Sequence, residues 1–513
     1  MLMKASTRSS NEKLESLCLV LALVISLASM VGWLILITHA YKIFLDGGID
    51  LTYYSYNLYL NLHYPNIASG IQFLVISNHI APDMLLLMPI YYLHQSSLTL
   101  LYVQTIVICL TSFLIFLVAR KLIKDPILAL VLSVAFLFNS GVMGILTFDF
   151  HVEFLLIPAY ILTFYFYMVS NKKLFAVSLI LLLGTLEIAP VLALTMGLGL
   201  LAYEMASSSG KPIDKDKKFM LMILLVSAIL SGIIYYSAIQ YLSASYATSY
   251  QQLPKFLRFG YGSIASISVD LHSLTSNPAA ILNRDIGELS NPLVLWTLIL
   301  SILIVFIGFG LLTLKKPLIT FLLSLQWFVP VLLWYDNISF INPAFLYYSY
   351  TIGSTVAATL IGAMFLMREP VKKESTLIKR RIGIYISIIL IALFLSFLSL
   401  FFATAPEIFV ASYNVPTLAT SANQLQTIIE LVPSNASLMT TSLISSHLAE
   451  RKYLEFTSGS FTPYFVPDYV LLDYGNNTDV YTNNTYTFFQ YVTKNYTYEL
   501  YAQDGNAKLY KRS

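Results

Sequence analysis

The chain has 513 residues, of which 57% are hydrophobic and 11% charged, with a net charge of +3 and a mean hydropathy of +0.72. A soluble domain carries roughly 25% charged residues, so a soluble enzyme, a disordered chain and a coiled coil are all excluded. The small net charge has no nucleic-acid signature, and Cys18 and Cys109 both lie in apolar runs, which excludes a disulfide framework and a Cys-based zinc site. What remains is an α-helical polytopic membrane protein.

A bilayer core about 30 Å thick needs about 20 apolar residues of helix. Runs of that kind fall near 16–41, 98–119, 126–146, 219–241, 291–313, 317–335, 347–367 and 382–404, with a shorter one at 154–170. Residues 1–15 precede the first run. That run is too long for a signal-peptide core and has no clear small-residue cleavage site, so it reads as a retained helix. The stretch 174–203 is interrupted by Gly184, Glu187 and Pro190. Read as two short helices, it returns the chain to the side it left. Cytoplasmic loops are enriched in Lys and Arg, and this reading puts 20 of the 30 basic residues inside and only Lys42, Lys255, Arg258 and Arg284 in outer loops. The expectation is about 11 crossings of a plasma membrane, with the amino terminus cytoplasmic and the carboxyl terminus outside. A broken helix of this kind is tolerated where protein or a watery cavity covers the break, and it often marks a site.

This topology makes 16–404 a multispan membrane domain with long outer loops at 42–97 and 242–290. The first loop includes an amphipathic piece, Met84–Leu93. The remaining segment, 405–513, reads as a small extracytoplasmic α/β domain. Gln424–Leu431 and Ser442–Glu450 read as helices. Ser437–Thr441, Tyr453–Phe456 and Asp468–Asp473 read as strands. Tyr498–Tyr510 reads as a hairpin turning at Asp504-Gly505-Asn506. Asn435, Asn476, Asn483 and Asn495 head N-x-S/T sequons there and Asn337 heads one in a short outer loop, in keeping with exposure outside the cell.

Ionisable side chains at an apolar boundary are costly and are therefore functional candidates. Asp149, His151 and Glu153 form a D-x-H-x-E run between two spans, and in extended chain alternate residues share a face. Glu187 sits at the outer turn of the broken pair, Asp46 and Asp50 follow the first span, and His79 and Asp83 flank Pro82. A carboxylate can take a proton from an attacking hydroxyl while a neighbouring imidazole holds it or binds phosphate. The catalytic candidates are Asp149, Asp50, His151 and Glu187. The substrate-binding candidates are His79, Glu153, Lys255 and Arg258, the last two as partners for a lipid phosphate. Carboxylate and imidazole also suit a divalent metal, but no metal or other cofactor is expected. His39 reads as an interfacial or packed residue, His447 as part of the outer domain's fold, and the Tyr clusters as the aromatic belt of a membrane protein.

Asp149-Phe150-His151-Val152-Glu153, the Pro158-bearing span after it and the broken pair with Glu187 resemble the core of the membrane family called domain of unknown function 2079. Asn78-His79-Ile80-Ala81-Pro82 with Met88-Pro89-Ile90-Tyr91 is similar to its first outer loop, and Gln104 fits its next span. Val432-Pro433 to Ser437, His447 to Arg451 and Asp468 to Asp473 match its outer domain. That family in turn resembles the GT-C glycosyltransferases. The resemblance implies a polyprenyl-phosphate-linked sugar donor, an outer-face acceptor, an archaeal plasma membrane and a catalytic acid in the first outer loop. Where the family shows that acid, this chain reads Tyr54-Ser55-Tyr56-Asn57, with Asp50 nearby. Where a later span tends to carry a His, it reads Tyr347-Tyr348-Ser349-Tyr350. Two other functions stay open: a transporter, suggested by the broken helix, and a non-catalytic anchor that displays the outer domain to an envelope partner. Oligomeric state is not legible.

Overall fold

The structure is a computed structural model. It describes residues 2–45, 48–65, 79–208, 212–249, 315–327, 349–368, 381–388, 416–456, 465–473 and 496–513, with a few isolated positions between. Most of the expected spans at 291–313 and 382–404, and the last eight residues of 317–335, lie outside the described residues, as do Asp46, Lys255, Arg258, Asn337, Asn476, Asn483 and Asn495.

Helix α1 (Leu2–Lys42) leads through a short turn into α2 (Ile49–His63). After 66–78 come α3 (Met84–Leu93), α4 (Ser97–Ile123), α5 (Pro126–Leu137) and α6 (Ser140–Thr147). A 3-10 turn at Val152–Leu155 opens α7 (Leu156–Met168), followed by α8 (Lys172–Thr185), α9 (Ala189–Ser207) and α10 (Lys215–Ser249). Helices α11 (Pro317–Leu323) and α12 (Ser349–Arg368) follow, and residues 381–388 are helical too, with Tyr385 Oη donating to Asp125 Oδ2 at 2.7 Å. Among the described residues, five helices are long and apolar enough to cross a membrane: Glu12–Lys42, Ser97–Ile123, Ala189–Ser207, Lys215–Tyr241 and Tyr350–Met367. Counting Pro126–Leu137 and Gly141–Thr147 as one span bent by 45° makes six. Helix α4 packs on α1 and α5, α7 on α8 and α12, and α9 on α10 and α11.

Local chemistry sets the helix ends. Asp125 accepts from the N–H groups of Ile127 and Leu128, and Asn139 accepts from that of Gly141, so α5 and α6 start on capped turns. The break between α8 and α9 falls at Leu186-Glu187-Ile188, as expected for an interruption at that point. Pro190 has no N–H and its ring would clash with the carbonyl four residues back, so a helix begins readily at this position, whereas one running through it would be kinked or broken.

The carboxyl-terminal part is a five-stranded sheet in the order β2-β1-β3-β5-β4, with β1 (Leu438–Thr440), β2 (Leu454–Phe456), β3 (Tyr469–Asp473), β4 (Tyr498–Asp504) and β5 (Ala507–Arg512). The first three strands are parallel and the hairpin β4–β5 adds antiparallel to β3. Gly505 turns the hairpin with φ +54, a conformation open to glycine. Helices α13 (Pro416–Ile429) and α14 (Ser442–Ser445) accompany the sheet.

Helix α2 belongs to two cores at once. Leu51, Tyr54 and Leu58 pack into the membrane core. Tyr53, Tyr56 and Leu60, with Phe44, pack into the core of the carboxyl-terminal sheet. Polar contacts reinforce the junction. Tyr41 Oη and Ser97 Oγ both donate to the Ser446 carbonyl (3.1 and 2.6 Å), Thr52 Oγ1 lies 2.6 Å from Ser445 Oγ, and Tyr56 Oη donates to the Lys452 carbonyl at 2.9 Å. His447 is stacked on Tyr41 with ring centroids 3.9 Å apart and also meets Phe44. It therefore does more than maintain the outer fold, because it is a seam residue between the two parts. Burial pushes its imidazole down to a pKa of about 3.

Candidate functional site

The site forms where the amino end of α2, the loop before α3, the D-x-H-x-E run and the α8–α9 break meet. It starts with a capping problem. The first N–H groups of a helix have no partner within it, and the residue before α2 is Gly48, which has no side chain to offer. Asp149 supplies the cap from a distance, its Oδ2 accepting from the N–H of Gly48 (2.9 Å) and of Leu51 (3.0 Å) while Oδ1 accepts from Phe150 N–H at 2.8 Å. A carboxylate here also faces the positive end of the helix dipole. A Cβ at 48 would sit 2.7 Å from Asp149 Oδ2, so any larger residue there would have to push that carboxylate out of its capping position. Burial and the nearby Asp50 raise the Asp149 pKa to about 6, against the opposing backbone N–H bonds.

With α2 fixed this way, Asp50 lies in its first turn and meets His151. His151 Nε2 is 3.1 Å from Asp50 Oδ2, and its Nδ1 is 3.5 Å from Glu153 Oε2. Glu153 Oε1 is 3.7 Å from His79 Nε2, and His79 Nδ1 is 2.6 Å from Glu187 Oε1. The residues Asp50, His151, Glu153, His79 and Glu187 thus form one chain in which acid and imidazole alternate. Glu187 also accepts from the Ile80 N–H at 3.1 Å. Neighbours hold the backbone in place. Gln104 Oε1 accepts from His151 N–H (3.0 Å) while its Nε2 donates to the Ile145 carbonyl (2.9 Å). Asp83 N–H donates to the Gly184 carbonyl at 2.9 Å, and Thr185 Oγ1 donates to Asp83 Oδ2 at 3.1 Å. A Cβ at 184 would meet Asp83 Oδ1, so a larger residue there would displace the Asp83 carboxyl from its bond with Thr185. Burial raises the Asp83 pKa to about 6 despite the Thr185 bond.

The side chains of Glu153 and His151 are 0% and 2% exposed, those of His79 and Glu187 about a tenth, and that of Asp50 24%. Burying charge is costly unless it is paired, and the alternation supplies the pairing. Burial alone would push both imidazoles down. For His79 the carboxylates of Glu187 and Glu153 outweigh it and raise the pKa to about 9. For His151 Glu153 and Asp50 do the same, to about 10. Both imidazoles are therefore cations at neutral pH. Among the described residues, no three His, Cys, Asp or Glu side chains form a set that could hold a metal ion.

Asp149, Asp50, His151, Glu153, His79 and Glu187 all lie in this one region, as the clustering of acids and imidazoles in the sequence suggests. The expected geometry of the D-x-H-x-E run needs correction. The chain enters a 3-10 turn at Val152, so the three residues do not share an extended face. Asp149 turns to the α2 terminus, and only His151 and Glu153 join the alternating chain. Lys255 and Arg258 fall outside the described residues. Asn435 is exposed, and the Ser437 of its sequon donates through Oγ to Asp468 Oδ2 at 2.6 Å.

Sequence reasoning missed Glu450. This half-buried acid of the carboxyl-terminal part accepts from Tyr91 Oη (3.3 Å) and Ser55 Oγ (3.5 Å), both in the membrane domain's first loop region. Burial raises its pKa to about 7. Its one signal was its place in the stretch from His447 to Arg451, and nothing in that stretch announces a partner some 360 residues earlier.

A search of curated proteins found no match. The family described as "Predicted membrane protein (DUF2079)" matches residues 44–506, which takes in α2, the acid–imidazole chain, the broken pair and four of the five strands of the carboxyl-terminal sheet, stopping just before β5. The chain belongs to that membrane protein family.

Proposed function

We propose that this protein is a membrane glycosyltransferase of GT-C type that moves a sugar from a polyprenyl-phosphate donor to an acceptor hydroxyl at the outer face of a plasma membrane. The carrying observation is the position of Asp50. It ends the alternating chain, it is the most exposed of the five members, and it stands in the first turn of the first helix after the first long apolar helix. The family resemblance expects an acid on this same helix, where the chain reads Tyr54-Ser55-Tyr56-Asn57, and Asp50 is the acid that lies nearby.

In this reading Asp50 is the general base. The acceptor oxygen bonds to the anomeric carbon, the carbon–oxygen bond to phosphate breaks, and its electron pair leaves with the polyprenyl phosphate. The acceptor proton passes to the Asp50 carboxylate. His151, a cation bonded to Asp50 Oδ2, orients that carboxylate, and Glu153 with the His79–Glu187 pair holds His151 in place. A positioned base of this kind contributes typically 10²–10⁴-fold. Asp149 is occupied by the α2 terminus and acts by positioning Asp50.

The test is transfer of radiolabelled sugar from polyprenyl-phosphate sugar by the purified full chain in lipid. Asp50→Asn should lower turnover by about 10²–10⁴-fold with little change in donor binding. Undiminished turnover in that variant would remove Asp50 from the chemistry. Solute flux into liposomes without any transfer would replace the enzyme with a transporter.

A further inference from the structure

Helix α3 is apolar on both faces. Met84, Leu87 and Tyr91 are buried against the protein. On the other side Leu85, Leu86, Ile90 and Leu93 are 39%, 51%, 42% and 83% exposed, Pro89 is exposed between them, and the helix contains no charged residue. At spacings of one, four, five and eight residues these side chains form one stripe. A contiguous exposed apolar stripe marks an interaction surface.

The placement of both helix ends identifies what covers it. At the start, Asp83 N–H is bonded to the Gly184 carbonyl and Asp83 Oδ2 to Thr185, so α3 begins level with the end of α8. At the finish, only His94, Gln95 and Ser96 separate α3 from α4. Three residues reach at most about 11 Å. Helix α4 has 27 residues and is about 40 Å long, against a hydrocarbon core of about 30 Å. Its first turn therefore stands at headgroup depth. With both ends held at that level, α3 lies along the membrane surface rather than across it or out in water.

We infer that α3 is an in-plane interfacial helix whose Leu85–Leu86–Ile90–Leu93 stripe is covered by the lipid acyl chains of the leaflet at the site end. The stripe begins two residues after Asp83, so the acid–imidazole chain is held at the lipid–water boundary, open to a lipid-borne group moving within the leaflet. This assignment stands apart from sugar transfer and survives if Asp50 proves dispensable.

The test uses the full chain in phosphatidylcholine nanodiscs, with a nitroxide label at Leu86→Cys and, separately, at Ile90→Cys. Cys18 and Cys109 are both buried. Label collisions are measured with oxygen, which concentrates in lipid, and with a water-soluble nickel chelate. Ile180→Cys, at a 70% exposed position on α8, is the lipid reference, and Leu500→Cys, at a 52% exposed position on β4, is the water reference. Both α3 labels should show oxygen collisions in excess of nickel, as at 180. Nickel collisions in excess, as at 500, would overturn the assignment, and so would poor access to both reagents, which would mean a protein cover. If one variant does not fold, the other still decides.

Discussion

His79 Nδ1 lies 2.6 Å from Glu187 Oε1, across 108 residues of sequence. This contact ties the first loop to the turn between two helices that break just before Pro190. Through Glu153 it also supports His151 and, behind that, Asp50. The interruption of a membrane helix and the alignment of a carboxylate at the far end of the site are thus parts of one network.

Both imidazoles have pKa values raised by folding, to about 9 for His79 and about 10 for His151, from an ordinary 6.5. The folded protein then binds more protons than the unfolded chain above pH 6.5. Their contribution to stability is complete below pH 6.5 and is lost as the pH rises through 9 to 10. Melting midpoints should fall between pH 7 and 10, and His79→Gln should flatten that fall. A wild-type melting midpoint independent of pH over this range would mean that the imidazoles are not paired as described.

Glu153 is fully buried between two cations. Glu153→Gln leaves both imidazoles without their shared partner and should cost about 3–5 kcal/mol, the usual penalty for breaking a buried pair from one side. Denaturation of the purified variant measures it, and a change under 1 kcal/mol would contradict the burial.

Asp149 and Asp50 should separate by their variants. Asp149→Ala removes the cap of α2 and should cost about 0.5–2 kcal/mol, with a loss of turnover because Asp50 rides on that helix. Asp149→Asn keeps an oxygen that can accept from Gly48 and should retain most of both properties. If it melted like wild type yet had no turnover, Asp149 would be the base in place of Asp50.

Glu450 carries a raised pKa, to about 7 from 4.5, because of its burial at the seam. The folded state holds that proton between the two values, so stability declines as the pH rises from 4.5 to 7. Glu450→Gln keeps an acceptor for Tyr91 and Ser55 and removes the decline. At pH 8 it should be more stable than wild type by up to about 3 kcal/mol. A less stable variant would show that the charge itself, facing Arg451, holds the seam.

Much of the architecture was legible in the sequence because it rests on local rules. Spans announce themselves by apolar length, Pro190 and Gly184 announce the break, and Asp504-Gly505-Asn506 announces the hairpin. Met84–Leu93 was visible as a distinct piece of the first outer loop, but it was expected to be amphipathic and is a helix apolar on both faces. The chemistry-bearing residues could also be nominated, since acids and imidazoles are scarce in a chain that is 11% charged. The alternation assumed for Asp149, His151 and Glu153 failed at Val152, where a 3-10 turn replaces extended chain and no local residue pattern signals it.

Composition and periodicity alone determined that this is a helical membrane protein with a small α/β carboxyl-terminal part, because the cost of exposing backbone and charge to lipid acts on every residue separately. Which acid stands beside which imidazole, that Asp149 caps a helix a hundred residues earlier, and that α2 is shared by two cores were decided only by the tertiary structure. Such pairings depend on distance in space, and the free energy that selects them exists only once burial has removed the water that would otherwise solvate each group alone.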